Sequence, residues 1–128
     1  MTRHRVFAHE TPEAGERTMR QRIDKAGVAY RRAAENIITG YFMVYEAGRS
    51  YFVKDAGACR FAYADTEEAL MRQTYATLGK GLVARWLASP GHRANILTPE
   101  MTRHGAALAP AGNDALCGEF YATQVFAG

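Results

Sequence analysis

Apolar residues recur at helical spacing in three segments of the chain, which predicts three helices. The first extends from Glu16 to Ala26, and Gly27 supplies its stop signal. The second extends from Glu67 to Leu78. Gly79 and Gly81 either separate it from the third helix or bend one long helix. The apolar face of the third helix is formed by Leu82, Val83, Trp86 and Leu87.

Alternating apolar and polar residues predict five strands. Two of them form a hairpin from Tyr41 to Lys54, with Gly48 in the left-handed position of its turn. A short strand covers Arg60 to Ala64, another covers His104 to Ala109, and the last covers Gly118 to Phe126. A length of 128 residues suggests one domain with a proper core.

Composition narrows the class of protein. Hydrophobic residues make up 48% of the chain, which is normal for a globular domain. No apolar run approaches the ~20 residues that a membrane helix needs, so no transmembrane segment is expected. The first nine residues contain no apolar stretch of the kind found in signal peptides. Within them, His4 is interpreted as a surface residue.

The formal net charge is +3, and the positive residues are densest near the first predicted helix. That cluster consists of Arg17, Arg20, Arg22, Lys25, Arg31 and Arg32. One interpretation is a solvated helix face, and the other is attraction to an anionic surface such as phospholipid or cell-envelope polymer. None of the familiar nucleic-acid-binding motifs is present, so a nucleic-acid partner is not expected.

Half of the aromatic residues lie between Tyr41 and Tyr63. Such a concentration is typical either of hairpin packing or of a binding platform. The two cysteines, Cys59 and Cys117, fit either one disulfide or two buried thiols. Neither belongs to a CxxC pair, which argues against a zinc knuckle or a thioredoxin-type site.

The stretch Trp86–Leu97 contains the strongest candidate site residue. Pro90 is expected to end the preceding helix, and Gly91 allows a conformation that other residues rarely adopt. Together they would hold His92 in a stiff corner next to the only tryptophan. Ser89 lies near His92 in sequence, but it precedes Pro90 and is interpreted as a cap or turn residue rather than a nucleophile.

A second candidate is Glu35, which stands beside Asn36 between apolar residues. Burying a carboxylate is costly unless it is paired or hydrogen-bonded. Glu35 is therefore either a loop or structural residue, or a site carboxylate near a histidine. Phe7 and His9 near the start of the chain also look like interior or site residues.

Four segments, in this order along the chain, resemble the CAP superfamily, which unites cysteine-rich secretory proteins, antigen 5 venom proteins and plant pathogenesis-related proteins. The resemblance is to the bacterial branch. Trp86–Leu97 is its most specific part, being similar to W-x-x-S-P-G-H-R-x-N-I-L. The other segments are Phe7–Gly15, Ala34–Ile37 (similar to G-E-N-I, with Ala34 for Gly) and Tyr121–Phe126 (similar to Y-x-T-Q-x-F).

This resemblance implies an α+β fold, a three-layer α-β-α sandwich around an antiparallel sheet, in one domain covering residues 1–128. It implies a secreted protein, extracellular or periplasmic, and an oxidising compartment favours a Cys59–Cys117 disulfide. The family's first long helix and a signal peptide are absent, so we expect a truncated chain. Residues 41–72 are expected to be an insertion that contains the aromatic hairpin.

By position, the resemblance also implies a cleft formed by His9, Glu35 and His92, with Ser89 where eukaryotic members carry a second glutamate. Two imidazoles suit a divalent metal such as Zn²⁺, so His9 and His92 are the predicted metal ligands. Three functions remain open. They are a secreted module that binds a small molecule (lipid, sterol or glycan) or an extracellular protein, a metal-assisted hydrolase of extracellular protein or cell-envelope material, and a purely structural polar network.

Overall fold

The computed structural model describes residues 7–112 and 117–128, and His4 lies outside them. Helices and antiparallel strands occupy separate parts of the chain, so the fold is α+β, as predicted. The three-layer sandwich stays a prediction. The elements are α1 (Met19–Lys25), β1 (Ala33–Tyr41), β2 (Tyr51–Asp55), β3 (Arg60–Tyr63), α2 (Tyr75–Ala88), α3 (Pro90–Leu97), β4 (Arg103–Pro110) and β5 (Glu119–Ala127).

The main sheet has the strand order β1-β5-β4, and both pairings are antiparallel. Its last two strands confirm the strands predicted near the end of the chain. Successive strand residues face opposite sides of a sheet, so neighbouring residues of β1 contact different parts of the protein. At Gly40 an added Cβ would lie 2.5 Å from the Phe120 ring, which explains why glycine stands there. The core beside this sheet contains Phe42, Trp86, Phe120 and Ala122.

Helix α1 is shorter than predicted, because it begins at Met19 and not at Glu16. Thr18 and Gln21 form a capping box, which satisfies free backbone N–H groups at the helix start. Gly15 before the cap has a φ of 79°, in the left-handed region. At the other end Gly27 has a φ of 70° and ends the helix as predicted.

The predicted helix from Glu67 to Leu78 is wrong over most of its length. Helix α2 begins only at Tyr75, after a capping box formed by Thr74 and Thr77. Upstream of it, the N–H of Leu70 donates to the carbonyl of Phe61 at 2.9 Å. The backbone of this segment is therefore hydrogen-bonded to the hairpin and not within a helix. Gly79 and Gly81 lie inside α2, which is continuous.

The corner at Pro90 is a helix junction and not a loop, which corrects the prediction for His92. Ser89 ends α2 and is also the N-cap of α3. Pro90 occupies the first position of α3, where a missing N–H costs nothing because that group has no helical partner. His92 therefore lies in the first turn of a helix, and the direction of its side chain is set by that helix.

An aromatic hairpin is present, but the predicted pairing of its strands is wrong. β2 pairs with β3, whereas Tyr41 belongs to β1. The turn at Gly48 exists, with a φ of 80°, but it leads into β2 without pairing the strands on either side of it. The residues after β1 pair with the segment before α2 and not with β2, since the N–H of Val44 donates to the carbonyl of Met71 at 2.7 Å. The status of residues 41–72 as an insertion stays a prediction.

Cys59 and Cys117 form the disulfide that the resemblance implied. It links the turn between β2 and β3, which contains Cys59, to Cys117, which lies two positions before β5. Around it a second small core packs beside the hairpin. This core contains Met43, Tyr63, Leu70 and Cys117, with Tyr45 and Phe61 against it.

Candidate functional site

Glu35 in strand β1 carries a buried carboxylate, with only 3% of its side chain exposed. Its Oε2 lies 2.8 Å from Nδ1 of His9. Its Oε1 accepts hydrogen bonds from Nη2 of Arg22 at 2.8 Å and from the Thr123 hydroxyl at 3.2 Å. The carboxylate is thus close to a histidine, as the site interpretation required, and it is also fully hydrogen-bonded, as burial requires.

Arg22 in α1 connects this carboxylate to the segment that precedes the helix. Besides Glu35, its guanidinium donates to the backbone carbonyl of His9 at 3.3 Å. It also donates to the carbonyls of Glu16 and Arg17, each at 3.2 Å. A planar guanidinium with five N–H donors suits this role, because it can satisfy several fixed acceptors at once. Arg22 therefore holds the His9 backbone in place beside Glu35.

The ring of His9 has a defined orientation. A carboxylate accepts hydrogen bonds but cannot donate them, so Nδ1 of His9 must carry the proton in its contact with Glu35. In neutral imidazole the other nitrogen, Nε2, is then an acceptor. The His9 side chain is 60% exposed, so Glu35 and Arg22 fix a histidine whose Nε2 is suited to accept a hydrogen bond or bind a metal ion.

Asn36, the next residue of β1, is fully buried and holds helix α3. Its side-chain amide donates to the backbone carbonyl of His92 at 3.1 Å, and its carbonyl oxygen accepts from Asn95 at 2.8 Å. A third contact joins the amide to Oε1 of Gln124 at 3.4 Å. The sheet is thereby fixed to the backbone of His92, and the imidazole takes no part in this network.

The two predicted histidines are attached to neighbouring residues of one strand. Glu35 and Asn36 face opposite sides of β1, so His9 is bound from one side and α3 from the other. Among residues 7–112 and 117–128, no hydrogen bond joins the side chains of His9 and His92. In the same residues, no group of three or more His, Cys, Asp or Glu side chains is placed to hold a metal ion.

Ser89, the remaining predicted cleft residue, is half-buried at the junction of α2 and α3. Its side chain makes no capping hydrogen bond at the start of α3. Its backbone carbonyl accepts the N–H of Arg93 at 2.8 Å, so Ser89 occupies a cap position, as the sequence interpretation expected.

Several members of the basic cluster are already paired. Arg22 binds the buried Glu35, and Arg17 lies 3.0 Å from Glu10. Lys25 is paired with Glu16, and Arg32 lies 3.4 Å from Glu100. Partial neutralisation weakens the field that the cluster can project toward an anionic surface. Such a surface as a partner stays a prediction.

A cavity of about 870 Å³ lies between α2 and strands β4 and β5. Its walls include Leu82, Trp86 and Leu108. The indole nitrogen of Trp86 is buried and finds no hydrogen-bond partner within the described ranges. None of His9, Glu35 and His92 contributes to the walls, so this cavity is separate from the histidine site.

Tyr41, Tyr45 and Tyr51, called here the tyrosine cluster, form a second candidate region. The ring centroids of Tyr41 and Tyr45 are 5.3 Å apart, and those of Tyr45 and Tyr51 are 5.1 Å apart. Tyr41 is 53% exposed and Tyr51 is 47% exposed, whereas Tyr45 between them is half-buried. Of the sequence alternatives, hairpin packing accounts for Tyr45, but it leaves much of the two outer rings open to solvent.

Burial raises the pKa of Tyr45 to about 12, and the neighbouring Tyr51 and Tyr41 add to this shift. We expect a titration of phenolate absorbance to show one late step near that pH, which the Tyr45→Phe variant loses. A raised pKa means that the fold disfavours the phenolate. The corresponding stability is therefore fully present below the ordinary pKa of about 10 and is lost as the pH rises through the folded value. A late step that persists in Tyr45→Phe would assign it to another tyrosine.

The CAP family model, described as the cysteine-rich secretory protein family, matches residues 3–126. The match covers nearly the whole chain, and the protein belongs to the CAP family. The bacterial branch stays a prediction. Comparison with curated proteins and with solved structures returned no match. Across the described residues, no helix has both the length and the apolar character needed to cross a membrane.

Four residues of the polar network are not identified from the sequence as site residues. They are Arg22, Asn95, Thr123 and Gln124. Arg22 was counted with the basic cluster, although a buried glutamate always needs a cationic or N–H partner. Thr123 and Gln124 are consecutive polar residues within an otherwise apolar strand. That pattern was the available signal for a polar network across the sheet.

Proposed function

We propose that this protein is a secreted CAP-domain binding module, extracellular or periplasmic, whose site is centred on His9. The observation that supports this proposal is the arrangement of Glu35 and Arg22, which fixes the His9 ring and leaves its Nε2 as the hydrogen-bond acceptor. The disulfide supports an oxidising compartment. The proposed ligand is a divalent metal ion or a small molecule that offers a hydrogen-bond donor to this nitrogen.

The donor set fits a metal ion only in part. His9 is suited to be a ligand through Nε2, with Glu35 as the hydrogen-bonded carboxylate behind it. Both oxygens of Glu35 are already engaged, so it orients His9 and is not itself a ligand. His92 is the other ligand proposed from the sequence, but α3 is held from the opposite side of β1, so the proposal rests on His9. A site with so few protein ligands would leave open positions for water, and we therefore expect weak binding of Zn²⁺ compared with structural sites of four ligands.

The test is a calorimetric zinc titration of the disulfide-bonded protein. We expect saturable binding by wild type, and a loss of affinity of at least about tenfold in His9→Ala, because the metal loses an oriented ligand. His92→Ala shows the same loss if the two histidines share one site. His104→Ala is the matched control, because His104 is exposed, stacks on Phe126 and is not among the hydrogen-bond partners of Glu35.

Absence of zinc binding by wild type, or equal binding by His9→Ala, would rule out the metal proposal. Loss in His9→Ala alone would remove His92 from the site. The same variants separate the other two functions that the sequence left open. Hydrolysis of protein or cell-envelope substrates that requires zinc and disappears in His9→Ala would identify a hydrolase. A fall in unfolding temperature without any change in binding would identify a structural network.

A further inference from the structure

We propose that the tyrosine cluster is a binding platform for a neutral polysaccharide chain. It lies at the end of β1 and the start of β2, and it shares no residue with the His9 site. Tyr51 also contacts Phe61, with ring centroids 6.1 Å apart, so the aromatic contacts continue along the hairpin. The proposal concerns a second site, and its outcome is independent of the zinc titration.

The chemistry of the cluster favours a sugar over a lipid. Sugar rings present flat C–H faces that pack on aromatic rings, and hydroxyl groups around their rims. The two exposed members, Tyr41 and Tyr51, supply ring surface. All three members also carry hydroxyls that can donate and accept hydrogen bonds. A purely apolar ligand offers these hydroxyls no hydrogen bond, whereas a sugar does.

The charges of Arg49 and its two carboxylate partners, in and beside the turn between Tyr45 and Tyr51, favour a neutral ligand. Arg49 stacks on the Tyr63 ring, 3.6 Å from its centroid, and donates to Glu46 at 2.9 Å and to Asp65 at 2.8 Å. The hydrogen bond from Arg49 lowers the pKa of the Asp65 carboxyl, so the Arg49–Asp65 pair is ionised over the physiological range. Because its guanidinium is engaged by these two carboxylates, Arg49 offers an anionic ligand no preorganised cationic partner. A neutral glycan needs none.

Affinity electrophoresis tests the proposal on the full chain. Native gels contain laminarin, hydroxyethyl cellulose or dextran, which are neutral and differ in linkage. We expect retardation of wild type by at least one of them. The apparent affinity should fall roughly tenfold or more in Tyr41→Ala/Tyr51→Ala, because two stacking surfaces are lost. The phenylalanine double variant keeps the rings and should lose less.

Tyr75→Ala is the matched control. Tyr75 is 96% exposed at the start of α2 and lies outside the cluster, so its removal should leave retardation unchanged. If the alanine double variant does not fold, an NMR titration of wild type with an oligosaccharide of the retarding polymer gives the answer, since the aromatic signals of the cluster must shift.

Three outcomes would overturn the proposal. The first is no retardation of wild type by any of the three polymers. The second is equal retardation of wild type and the folded alanine variant, or an NMR titration that leaves the cluster signals unmoved. The third is binding of wild type to phosphatidylcholine vesicles but not to polysaccharide, which would identify a lipid surface as the partner.

Discussion

Replacing both cysteines, in Cys59→Ser/Cys117→Ser, is expected to lower the free energy of unfolding by about 4 kcal/mol. The two residues are 58 positions apart, and opening a loop of that length returns a large conformational entropy to the unfolded chain. For a domain of this size the unfolding temperature should fall by roughly 15 °C. The measurement is thermal and denaturant unfolding followed by circular dichroism.

Chemical reduction provides the matched control for this prediction. A thiol reductant should destabilise wild type to the level of the double serine variant and should leave that variant unchanged. Serine is close in size to cysteine, so the lost bond dominates the effect. A double variant within about 1 kcal/mol of wild type would contradict the prediction. It would mean that the packing of Met43, Tyr63 and Leu70 holds the hairpin without the disulfide.

Local signals in the sequence were sufficient to predict the elements for which no distant segment takes up the backbone hydrogen bonds. Gly27 ends α1, and the two late strands pair as antiparallel neighbours in the main sheet. The errors lie where a distant segment competes for the same backbone groups. Glu67 to Thr74 has the composition of a helix start, but its N–H groups and carbonyls bond to the hairpin and to the residues after β1.

The candidate site was predictable in its chemistry but not in its connections. The position of Glu35 between apolar residues left two interpretations open, a loop or structural residue and a site carboxylate, and the resemblance implied one cleft for Glu35, His9 and His92. Nothing in the spacing shows that Arg22 is the cationic partner of Glu35, since many arginines lie nearby in sequence. Nor does spacing show that α3 is held through the backbone of His92. Such pairings depend on which faces of the sheet the elements pack against.

Replacing the buried carboxylate, in Glu35→Ala, is expected to lower the free energy of unfolding by about 3 kcal/mol. The Arg22 side chain is only 19% exposed, and without Glu35 its guanidinium loses the one charged partner that it has among the described residues. His9 and Thr123 also lose their acceptor. Such an uncompensated, partly buried charge costs more than the intact pair contributes, which is why the single substitution has a large effect. Denaturant unfolding at neutral pH measures it.

Glu10→Ala is the matched control for Glu35→Ala. Glu10 is paired with Arg17, but the two side chains are 60% and 68% exposed, so its removal should cost less than about 0.5 kcal/mol. Adding Arg22→Ala to Glu35→Ala removes the stranded charge. We expect the two substitutions together to cost less than the sum of their separate effects, with a coupling of about 2 kcal/mol. Additive effects, or a Glu35→Ala variant as stable as Glu10→Ala, would contradict the prediction. They would show that water replaces Glu35 as the hydrogen-bond partner of Arg22 at no cost in stability. In that case the ion pair with Arg22 would not be the interaction that holds Glu35 beside His9.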